Sequence, residues 1–335
     1  MKILIYGPGL IGRKHIDLCV KNNSIKSIYV VGTGGEEGRL HCNLLNIPYF
    51  TSLNDLLDIE RDFDGVIVAT PNEIHFEVVD SLANHCATFL VEKPLCITTD
   101  EYNKFKTLQK TKGLQILVGH HRLHNRILSR SKEIIDSGIL GNIVGFTGSA
   151  AFYKPDHYFD DGPWRRQPGG GPISINLSHE IATIDYLLGE IQEIASIVSN
   201  QTRGFQVEDT VALSFRTEKN TIGNFFLSDT TVSPFSWEQT SGENNSYPHF
   251  DENCYTVYGT RGSLSIPKMR IYCQPNEQNW WKDVDISELT IEPRQDAYES
   301  QLEHFIELIK RNCLPLVSVS DSYRYFSALR KINGI

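Results

Sequence analysis

The stretch YGPGLIG, residues 6–12, spaces its three glycines as G-x-G-x-x-G. It comes directly after the apolar run Lys2–Tyr6 and opens a helical pattern over Leu10–Lys21. In a strand–turn–helix unit, the first glycine permits a tight turn, the second lets the backbone approach a pyrophosphate, and the third lets the helix pack against the strand. The free N–H groups at the start of the helix then face the anion. We therefore predict that this turn binds a dinucleotide through Gly7, Gly9, Leu10, Ile11 and Gly12.

Short apolar runs recur through the first third of the chain, and helical patterns separate them. The further runs are Ile28–Val31, Val66–Ala69, Thr88–Val91 and Gln115–Val118. The intervening helices are predicted at Glu36–Leu45, Ile74–Asn84 and Asp100–Lys110. Continuous apolar runs are typical of parallel strands that are buried on both faces. The alternation predicts an α/β fold whose doubly wound parallel sheet forms an NAD(P)-binding Rossmann domain over residues 1–122.

The pattern changes beyond residue 122, where apolar and polar residues begin to alternate. In Val211–Arg216, for example, the Val, Leu and Phe side chains share one face. Further strands are predicted at Ile143–Phe152, Ile194–Ser199, Gly223–Ser228, Tyr255–Tyr258 and Ser263–Ile266, and helices at Asn125–Ser137, Ile181–Leu188, Ala297–Arg311 and Ser322–Lys331. This pattern predicts a substrate-binding α+β domain over residues 123–335 with a large, mostly antiparallel open sheet.

One long polar and aromatic segment, Asp229–Asn253, interrupts the predicted strands. Loops of this length in a compact domain usually have a function of their own. We expect its aromatic residues, Trp237 among them, to cover a pocket or to contact another subunit.

The composition is that of a globular protein and excludes several function classes. The chain has 335 residues, 40% of them hydrophobic, and a formal net charge of −9 at pH 7. Because Lys and Arg are not in excess, a nucleic-acid partner is not expected. No apolar run reaches the roughly 18 residues that cross a membrane, so no membrane partner is expected either. The seven cysteines are scattered without a C-x-x-C motif, which indicates reduced thiols and a cytoplasmic protein.

Three histidines lie close together after the fifth predicted strand, at His120, His121 and His124. They share no H-x-x-x-H helix face with a carboxylate, and the sequence has no other cluster of metal ligands. We therefore predict no metal site.

The residues after the second predicted strand bear on the choice of cofactor. An Asp or Glu about twenty residues beyond the glycines normally binds the ribose 2′-hydroxyl of NAD. Gly32 occupies that place, and Glu36 and Glu37 further on are interpreted as the start of a helix. Without the acid a 2′-phosphate is not repelled, and Thr33 or Arg39 can help to hold it. The predicted cofactor is therefore NAD or NADP, with a lean toward NADP, bound in part by Gly32 and Thr33.

Two motifs lie at the carboxyl ends of predicted parallel strands, where such sheets bind ligands. Residues 69–72 read A-T-P-N, with His75 three residues later, and residues 91–94 read V-E-K-P. Together with the N-terminal glycines and the change to an antiparallel sheet, these motifs resemble the Gfo/Idh/MocA oxidoreductases over essentially the whole chain. The resemblance implies hydride transfer between NAD or NADP and a secondary alcohol or carbonyl of a sugar, cyclitol or related small molecule. It also implies a homo-oligomer that forms through the C-terminal sheet.

The same resemblance assigns roles to the two motifs. Lys93 would face the nicotinamide and the substrate, and the peptide bond before Pro94 would be cis. The cofactor would also contact Thr70, Pro71, Asn72, His75 and Glu92. The chemistry at Lys93 has an independent rationale, because oxidation of an alcohol requires a proton to leave its oxygen. A lysine whose pKa is depressed by burial can move that proton near neutral pH, and its ammonium form stabilises an alkoxide.

The second half of the site is expected near the helix that follows three consecutive glycines. The family pattern there is D-x-x-x-H with a later Asp. His179 matches the histidine, whereas Ile175 and Ala182 stand where the acids are expected. We predict that His179 is catalytic, as a proton acceptor or hydroxyl orienter, and that Asn176 binds substrate. Whether Asn176 or Glu180 compensates for the missing acid is open, and so is reduction of an imine or an unusual carbonyl.

Five further residues are candidates because of their position in the family pattern. His121 and Arg122 are predicted to lie near the nicotinamide. Trp164 and Arg165 are predicted cofactor contacts, and Tyr153 and Trp164 are predicted substrate contacts, since aromatic rings stack on sugars and Arg binds carboxylates. Two alternative functions stay open: an NAD-dependent glycosidase of the same fold, and a non-catalytic regulator that senses the cofactor.

Overall fold

The computed structural model describes residues 1–33, 35–274, 276–291 and 296–332. The chain forms two compact units. The first consists of Met1–His121 and Tyr298–Phe326, and the second of Arg122–Ala297 and the chain from Ser327 onward.

The first unit is built on a parallel sheet. Its strands are β1 Lys2–Tyr6, β2 Ser27–Val31, β3 Tyr49–Phe50, β4 Gly65–Val68, β5 Thr88–Glu92 and β6 Gln115–Gly119. Its first helices are α1 Leu10–Lys21, α2 Glu36–Leu44, α3 Leu53–Leu57, α4 His75–Leu82 and α5 Thr99–Lys112. The strand order β3-β2-β1-β4-β5-β6 confirms the predicted doubly wound sheet. Only β3 and α3 were not predicted, because two and five residues are too few to show a periodicity.

The second unit is built on an eight-stranded sheet, and this confirms the predicted α+β architecture. Its strands are β7 Ile143–Ala151, β8 Ile191–Ser199, β9 Thr210–Thr217, β10 Ile222–Ser228, β11 Tyr255–Gly259, β12 Gly262–Ile266, β13 Arg270–Cys273 and β14 Asp285–Glu288. Its helices are α6 Arg126–Asp136, α7 Asp156–Asp160, α8 Ser178–Leu188 and α9 Trp237–Thr240. The order is β14-β13-β12-β11-β7-β10-β9-β8, with β7 and β10 parallel and the other neighbours antiparallel.

The alternation in β9 has the predicted consequence. Val211, Leu213 and Phe215 are buried, whereas Ala212 and Ser214 between them are exposed. One face of the sheet therefore packs on the core, and the other carries small, polar and scattered apolar side chains.

The segment Asp229–Asn253 differs from the expected loop. It contains α9, and Trp237 at the start of this helix is buried and stacks on Tyr255 with ring centroids 5.9 Å apart. The expectation that Trp237 covers a pocket or contacts another subunit was wrong, because its ring is part of the core of the second unit. Phe235 and Tyr247 in the same segment are exposed.

Two helices follow near the end of the chain, α10 Ala297–Ile309 and α11 Val319–Ile332. Phe305 and Ile306 of α10 belong to the same buried core as Ile3, Ile5 and Leu90 of the parallel sheet. The segment Tyr298–Phe326 is therefore part of the first unit, although the sequence boundary at residues 122 and 123 assigned it to the second domain. An amphipathic pattern shows that a helix has an apolar face, but it does not show which sheet that face covers.

Candidate functional site

A cavity of about 400 Å³ lies in the first unit where β1, β2 and β4 end. The loops after these three strands form it, and the strand order reverses between β1 and β4, which is where doubly wound sheets bind ligands. Six predicted cofactor residues line it: Gly7, Gly9, Gly32, Thr33, Thr70 and Pro71. The other described lining residues are Tyr6, Pro8, Arg13, Gly35, Glu36, Glu37, Gly38, Ala69 and Ile74.

The three glycines of the loop after β1 are explained by different constraints: backbone packing at two positions and space for a ligand at the third. Gly7 has φ of +95°, and a Cβ there would lie 2.6 Å from the carbonyl oxygen of Ala69. A Cβ on Gly12 would lie 2.0 Å from the carbonyl oxygen of Gly7. A Cβ on Gly9 would meet no described atom within 4 Å. The fold therefore explains Gly7 and Gly12, whereas the free space at Gly9 fits the close approach of a pyrophosphate.

A second feature of this cavity fits a bound nucleotide. The hydroxyl oxygen of Thr70 is buried and has no hydrogen-bond partner within the described chain. Buried polar atoms are normally satisfied, so an unsatisfied hydroxyl at the wall of a cavity suits a ligand or a water molecule. The first unit is therefore compatible with a dinucleotide at this place.

Packing explains why glycine occupies position 32. A Cβ there would lie 2.7 Å from Cδ of Pro8 and 2.8 Å from the hydroxyl of Tyr49. The Tyr49 hydroxyl also donates a hydrogen bond to the Gly32 carbonyl at 3.0 Å. A carboxylate cannot be placed at residue 32 without moving these neighbours.

Two carboxylates nevertheless reach the cavity from the next turn. Glu36 and Glu37 begin α2, as predicted, and both also line the cavity. Nη1 of Arg13 lies 2.6 Å from Oε2 of Glu37. Arg39 is exposed and is absent from the described lining. The lean toward NADP rested on the missing acid at residue 32, with Glu36 and Glu37 interpreted as the start of a helix, whereas both carboxylates also line the cavity.

The lysine motif forms a tight turn after β5. The Lys93–Pro94 peptide bond is cis, as expected, and Lys93 is half-buried. The backbone N–H of Lys93 donates to Oε2 of Glu92 at 3.4 Å. Oε1 of the buried Glu92 lies 2.9 Å from Nε2 of His15, a buried residue of α1. A histidine from the helix after the glycine loop therefore holds the carboxylate that precedes the lysine.

His75 is placed beneath the loops rather than along the cavity. Its ring is buried, with Nδ1 at 3.1 Å from the Pro94 carbonyl oxygen and Nε2 at 3.0 Å from that of Thr70. Burial lowers the pKa of His75, and the Thr70 carbonyl opposes this effect. The side chain links the two loops that carry the sequence motifs.

The remaining predicted cofactor residues of the first unit stand apart from the described lining of the cavity. They are Leu10, Ile11, Gly12, Asn72, Glu92, Lys93 and His121. The ring of His121 stacks on Tyr298 with centroids 4.0 Å apart and an interplanar angle of 13°.

Arg122 belongs to a buried charge cluster of the second unit. Nη1 lies 2.5 Å from Oε1 of Glu180, and Nη2 lies 2.6 Å from Oε1 of Glu238. The Tyr255 hydroxyl donates to the other oxygen of Glu180 at 2.5 Å. Burial opposes the charge on Arg122, but the two carboxylates outweigh it and raise its pKa well above the ordinary value. Arg122 and Glu180 are therefore committed to each other, which leaves Glu180 unsuited to replace the missing acid.

His179 lies in the first turn of α8 and is partly exposed. A single π-helical turn, Ile173–Leu177, leads into this helix. The carboxylate of Glu208 accepts a hydrogen bond from the backbone N–H of Ile173 at 2.7 Å and so fixes the start of the turn. Such turns are frequent at functional sites because they change the direction of side chains within a continuous helix.

Asn176 lies in the π-helical turn and has a partner that the sequence did not indicate. Nζ of Lys154 donates to Oδ1 of Asn176 at 2.8 Å and lies 3.4 Å from Oδ2 of Asp229. Burial lowers the pKa of the nearly buried Lys154, and Asp229 opposes this effect. Asp229 is in turn bound by Nε of Arg203 at 2.9 Å.

The aromatic and cationic segment after β7 is only partly buried. Tyr153 and Trp164 are exposed. The guanidinium carbon of Arg165 lies 3.9 Å from the ring centroid of Tyr158, and Nη1 of Arg165 donates to the Tyr158 carbonyl.

Two residues near these features, Arg13 and Lys154, were not among the predicted site residues, and Glu36 and Glu37 were predicted only as the start of a helix. Arg13 follows the last glycine of the fingerprint directly, so its position was a usable signal. Lys154 carried no signal, since Asn176 and Asp229 lie 22 and 75 residues further along the chain.

Within the described parts of the chain, no group of three or more His, Cys, Asp or Glu side chains has a metal-binding arrangement. No helix among the described residues is long and apolar enough to span a bilayer.

Two models from one protein family match the chain. The model for "Oxidoreductase family, NAD-binding Rossmann fold" matches residues 1–120, and the model for the "GFO/IDH/MocA C-terminal domain" matches residues 128–265.

Curated relatives are similar at low identity. The chain is 25% identical over 264 residues to 1,5-anhydro-D-fructose reductase of Ensifer adhaerens, a match that covers 78% of this chain and 74% of the relative. It is 23% identical over 235 residues to 2,7-anhydro-N-acetylneuraminate hydratase of Mediterraneibacter gnavus, which covers 69% of this chain but only 58% of the relative.

A solved structure shares the fold over nearly the full length. The WlbA dehydrogenase from Bordetella pertussis, in complex with NADH and UDP-GlcNAcA, superposes with a TM-score of 0.75. The sequence identity is 18%, and the match covers 99% of this chain and 95% of that one.

Proposed function

Because this chain belongs to the Gfo/Idh/MocA family of oxidoreductases, we propose that it transfers a hydride between a nicotinamide cofactor and a secondary alcohol or carbonyl of a small molecule. The substrate class is a sugar, a cyclitol or a related hydroxy compound. The observation that carries the proposal is the cavity at the ends of β1, β2 and β4, with free space at Gly9 and an unsatisfied hydroxyl at Thr70.

The bound nicotinamide would supply the hydride acceptor or donor. The protein has to supply the proton chemistry, and Lys93 is the residue we assign to it. As an amine it accepts the proton of the substrate hydroxyl, and as an ammonium it returns that proton during reduction. Glu92, which is held by His15, accepts a hydrogen bond from the backbone N–H of Lys93 and so helps to fix the backbone that carries this lysine. His179, on the first turn of α8, is the second catalytic candidate, as an orienter of the substrate hydroxyl.

We further propose that the preferred cofactor is NAD. A 2′-phosphate would carry negative charge toward the cavity wall that holds Glu36 and Glu37. The cation in that wall, Arg13, is already paired with Glu37. An Arg in an ion pair offers less to a phosphate than an uncommitted Arg would.

A second candidate function is a reaction without net oxidation. One relative is named a hydratase, and hydration leaves the overall oxidation state unchanged. In this alternative the cofactor would be reduced and reoxidised within one turnover, and no NADH would accumulate.

We also propose that the protein forms a homo-oligomer through the open face of the eight-stranded sheet. This face exposes Ile197 of β8, Ile222 and Phe226 of β10, and Tyr258 of β11. Exposed apolar side chains spread over one sheet face are typical of a subunit interface. Sedimentation velocity at micromolar protein should give a species larger than 38.0 kDa. A single species at the mass of one chain would contradict the proposal.

The proposed reaction is tested in two steps. Fluorescence titration first measures the binding of NADH and NADPH, and then polyols, sugars and hydroxy acids are screened with each oxidised cofactor at 340 nm. We expect NADH to bind and at least one substrate to give net NADH. Binding without net NADH, together with hydrolysis or hydration of a screened sugar derivative, would favour the second candidate. Absence of nucleotide binding would contradict both.

A further inference from the structure

The second unit contains a buried ammonium group whose first partner is a neutral amide. Lys154 follows β7, and its side chain is only 10% exposed. Nζ donates to Oδ1 of Asn176 at 2.8 Å, and the next polar atom, Oδ2 of Asp229, is 3.4 Å away. Asp229 also binds Nε of Arg203, so its charge is shared between two cations.

The contact with Lys154 determines which end of the Asn176 amide is available. An ammonium group can only donate, so the atom that faces it has to be the amide oxygen. The NH₂ group of Asn176, with two N–H donors, therefore points away from Lys154. Asn176 is half-buried and lies three residues before His179, in the turn that leads into α8. The position offers hydrogen-bond donors, whereas a carboxylate there would offer only acceptors.

A second cation, Arg165, lies near the aromatic ring of Tyr158, as Lys154 also does. Nζ of Lys154 is 5.2 Å and the guanidinium carbon of Arg165 is 3.9 Å from the ring centroid of Tyr158. No carboxylate in the described chain lies within salt-bridge distance of Arg165, whereas Arg166 nearby is paired with Asp160 and Arg203 with Asp229 and Asp156. Nε of Arg165 is buried and has no hydrogen-bond partner there. Within the described chain Arg165 thus has no carboxylate counter-ion and keeps an unused donor at Nε, although its Nη1 donates to the Tyr158 carbonyl.

We propose that Asn176, Arg165 and Lys154 form a subsite for a carboxylate of the substrate. Asn176 and Arg165 would donate hydrogen bonds to its oxygens, and Lys154 would hold the amide in the donating orientation. The substrate is then a sugar acid or a hydroxy acid rather than a neutral polyol. This inference rests on the proposed oxidoreductase function and names its substrate class. We assign the anion to a carboxylate because the planar guanidinium and amide groups match a planar, two-oxygen acceptor.

The experiment compares matched acidic and neutral ligands on the complex with NADH, by isothermal titration calorimetry. The pairs are D-glucuronate with D-glucose, L-tartrate with L-threitol, and lactate with propane-1,2-diol, and glucose 6-phosphate is added as a different anion. We expect the acid to bind at least about tenfold more tightly in one or more pairs, as a charge-assisted Arg contact would give. No preference for the acid in any pair, or tighter binding of the phosphate than of every carboxylate, would overturn the proposal.

Variants locate the effect. In N176D the donating amide becomes a carboxylate, and the preference for the acid should fall by about tenfold or reverse. R165Q should weaken the same preference and provides an independent check if N176D folds poorly. The control N142D makes the same change at an exposed residue of the second unit and should leave the preference intact. An acid preference that survives both N176D and R165Q would overturn the assignment.

Measurement of NADH affinity distinguishes failure of the carboxylate subsite from failure of the proposed oxidoreductase function. Wild-type protein that binds NADH and turns over a neutral substrate, but shows no acid preference, would leave the reaction standing and overturn the subsite. Wild-type protein that binds no NADH would overturn both.

Discussion

The two units bring chemical groups together in different ways. In the first unit, the described residues that line the cavity lie between Tyr6 and Arg13, between Gly32 and Gly38, and between Ala69 and Ile74, in each case at the end of a parallel strand. In the second unit, Lys154 meets Asn176 and Asp229 across 22 and 75 residues, and Arg122 meets Glu238 across 116. A parallel sheet places the carboxyl ends of its strands at one edge. In the second unit the contacts instead join loops and helices that are far apart along the chain.

This difference determines what a motif can indicate. A loop that follows a parallel strand lies at the carboxyl edge of the sheet. A short pattern such as V-E-K-P at the end of a predicted strand therefore predicts that Lys93 lies at this edge. In the second unit, the sequence does not show whether an arginine contacts a ligand or pairs with a buried carboxylate. Arg122 and Arg165 both suggested ligand contacts, yet Arg122 is buried between two carboxylates and Arg165 has none within reach in the described chain.

The largest effect is expected for Lys93. Lys93→Ala removes the proposed proton carrier and should reduce kcat by about 1,000-fold, the range of general acid–base catalysis. NADH affinity should change little, because Lys93 is not part of the described cavity lining. Lys112→Ala, which removes an exposed lysine that donates to Asn84, is the control and should keep wild-type kcat. The measurement is kcat from steady-state kinetics with the best substrate of the screen. A wild-type kcat in Lys93→Ala would contradict the role of Lys93 as the proton carrier.

The parallel sheet of the first unit could be predicted from the sequence, whereas the side-chain contacts within the second unit could not. Continuous apolar runs and glycine spacing are local properties, and they predicted five of the six parallel strands. The role of Glu37 was not predictable, because a residue that begins a helix can also face a cavity. The burial of Trp237 and the membership of α10 in the first unit depend on tertiary packing, which overrides local patterns. The lysine at residue 154 had no local signal at all.

A large effect on stability, rather than on cofactor binding, is expected for Arg122. Arg122→Leu leaves Glu180 and Glu238 without their counter-ion, and breaking a buried ion pair costs about 3 kcal/mol of unfolding free energy. Chemical denaturation should show this loss, while NADH affinity of the folded variant stays within about twofold. Arg130→Leu, which removes an exposed arginine paired with Glu133, should cost less than about 0.5 kcal/mol. Wild-type stability with weakened NADH binding would instead support a cofactor role for Arg122.

A tenfold effect is expected for the cofactor preference. Glu37→Ala removes a carboxylate from the cavity and releases Arg13, so the ratio of kcat/KM for NADP over NAD should rise by about tenfold. Glu36→Ala removes the same charge without releasing an arginine and should produce a smaller change. Adding Arg13→Ala to Glu37→Ala should reverse most of the gain. If the ratio of kcat/KM for NADP over NAD in all three variants equals that of the wild-type protein, the carboxylates of this cavity wall do not select the cofactor.

The smallest effect concerns the pH dependence of stability at Lys154. Burial lowers the pKa of Lys154 below its ordinary 10.5 in the folded protein. Between the two pKa values the unfolded chain binds more protons than the folded one, so the unfolding free energy contributed by this group rises with pH. Relative to Lys154→Met, wild-type protein should therefore gain unfolding free energy as the pH rises toward 10.5. Lys219→Met, at an exposed turn, should show no such trend against wild type. A wild-type advantage that shrinks with rising pH would mean that Asp229 outweighs burial, and that the ammonium group is held by its ion pair rather than by the amide of Asn176.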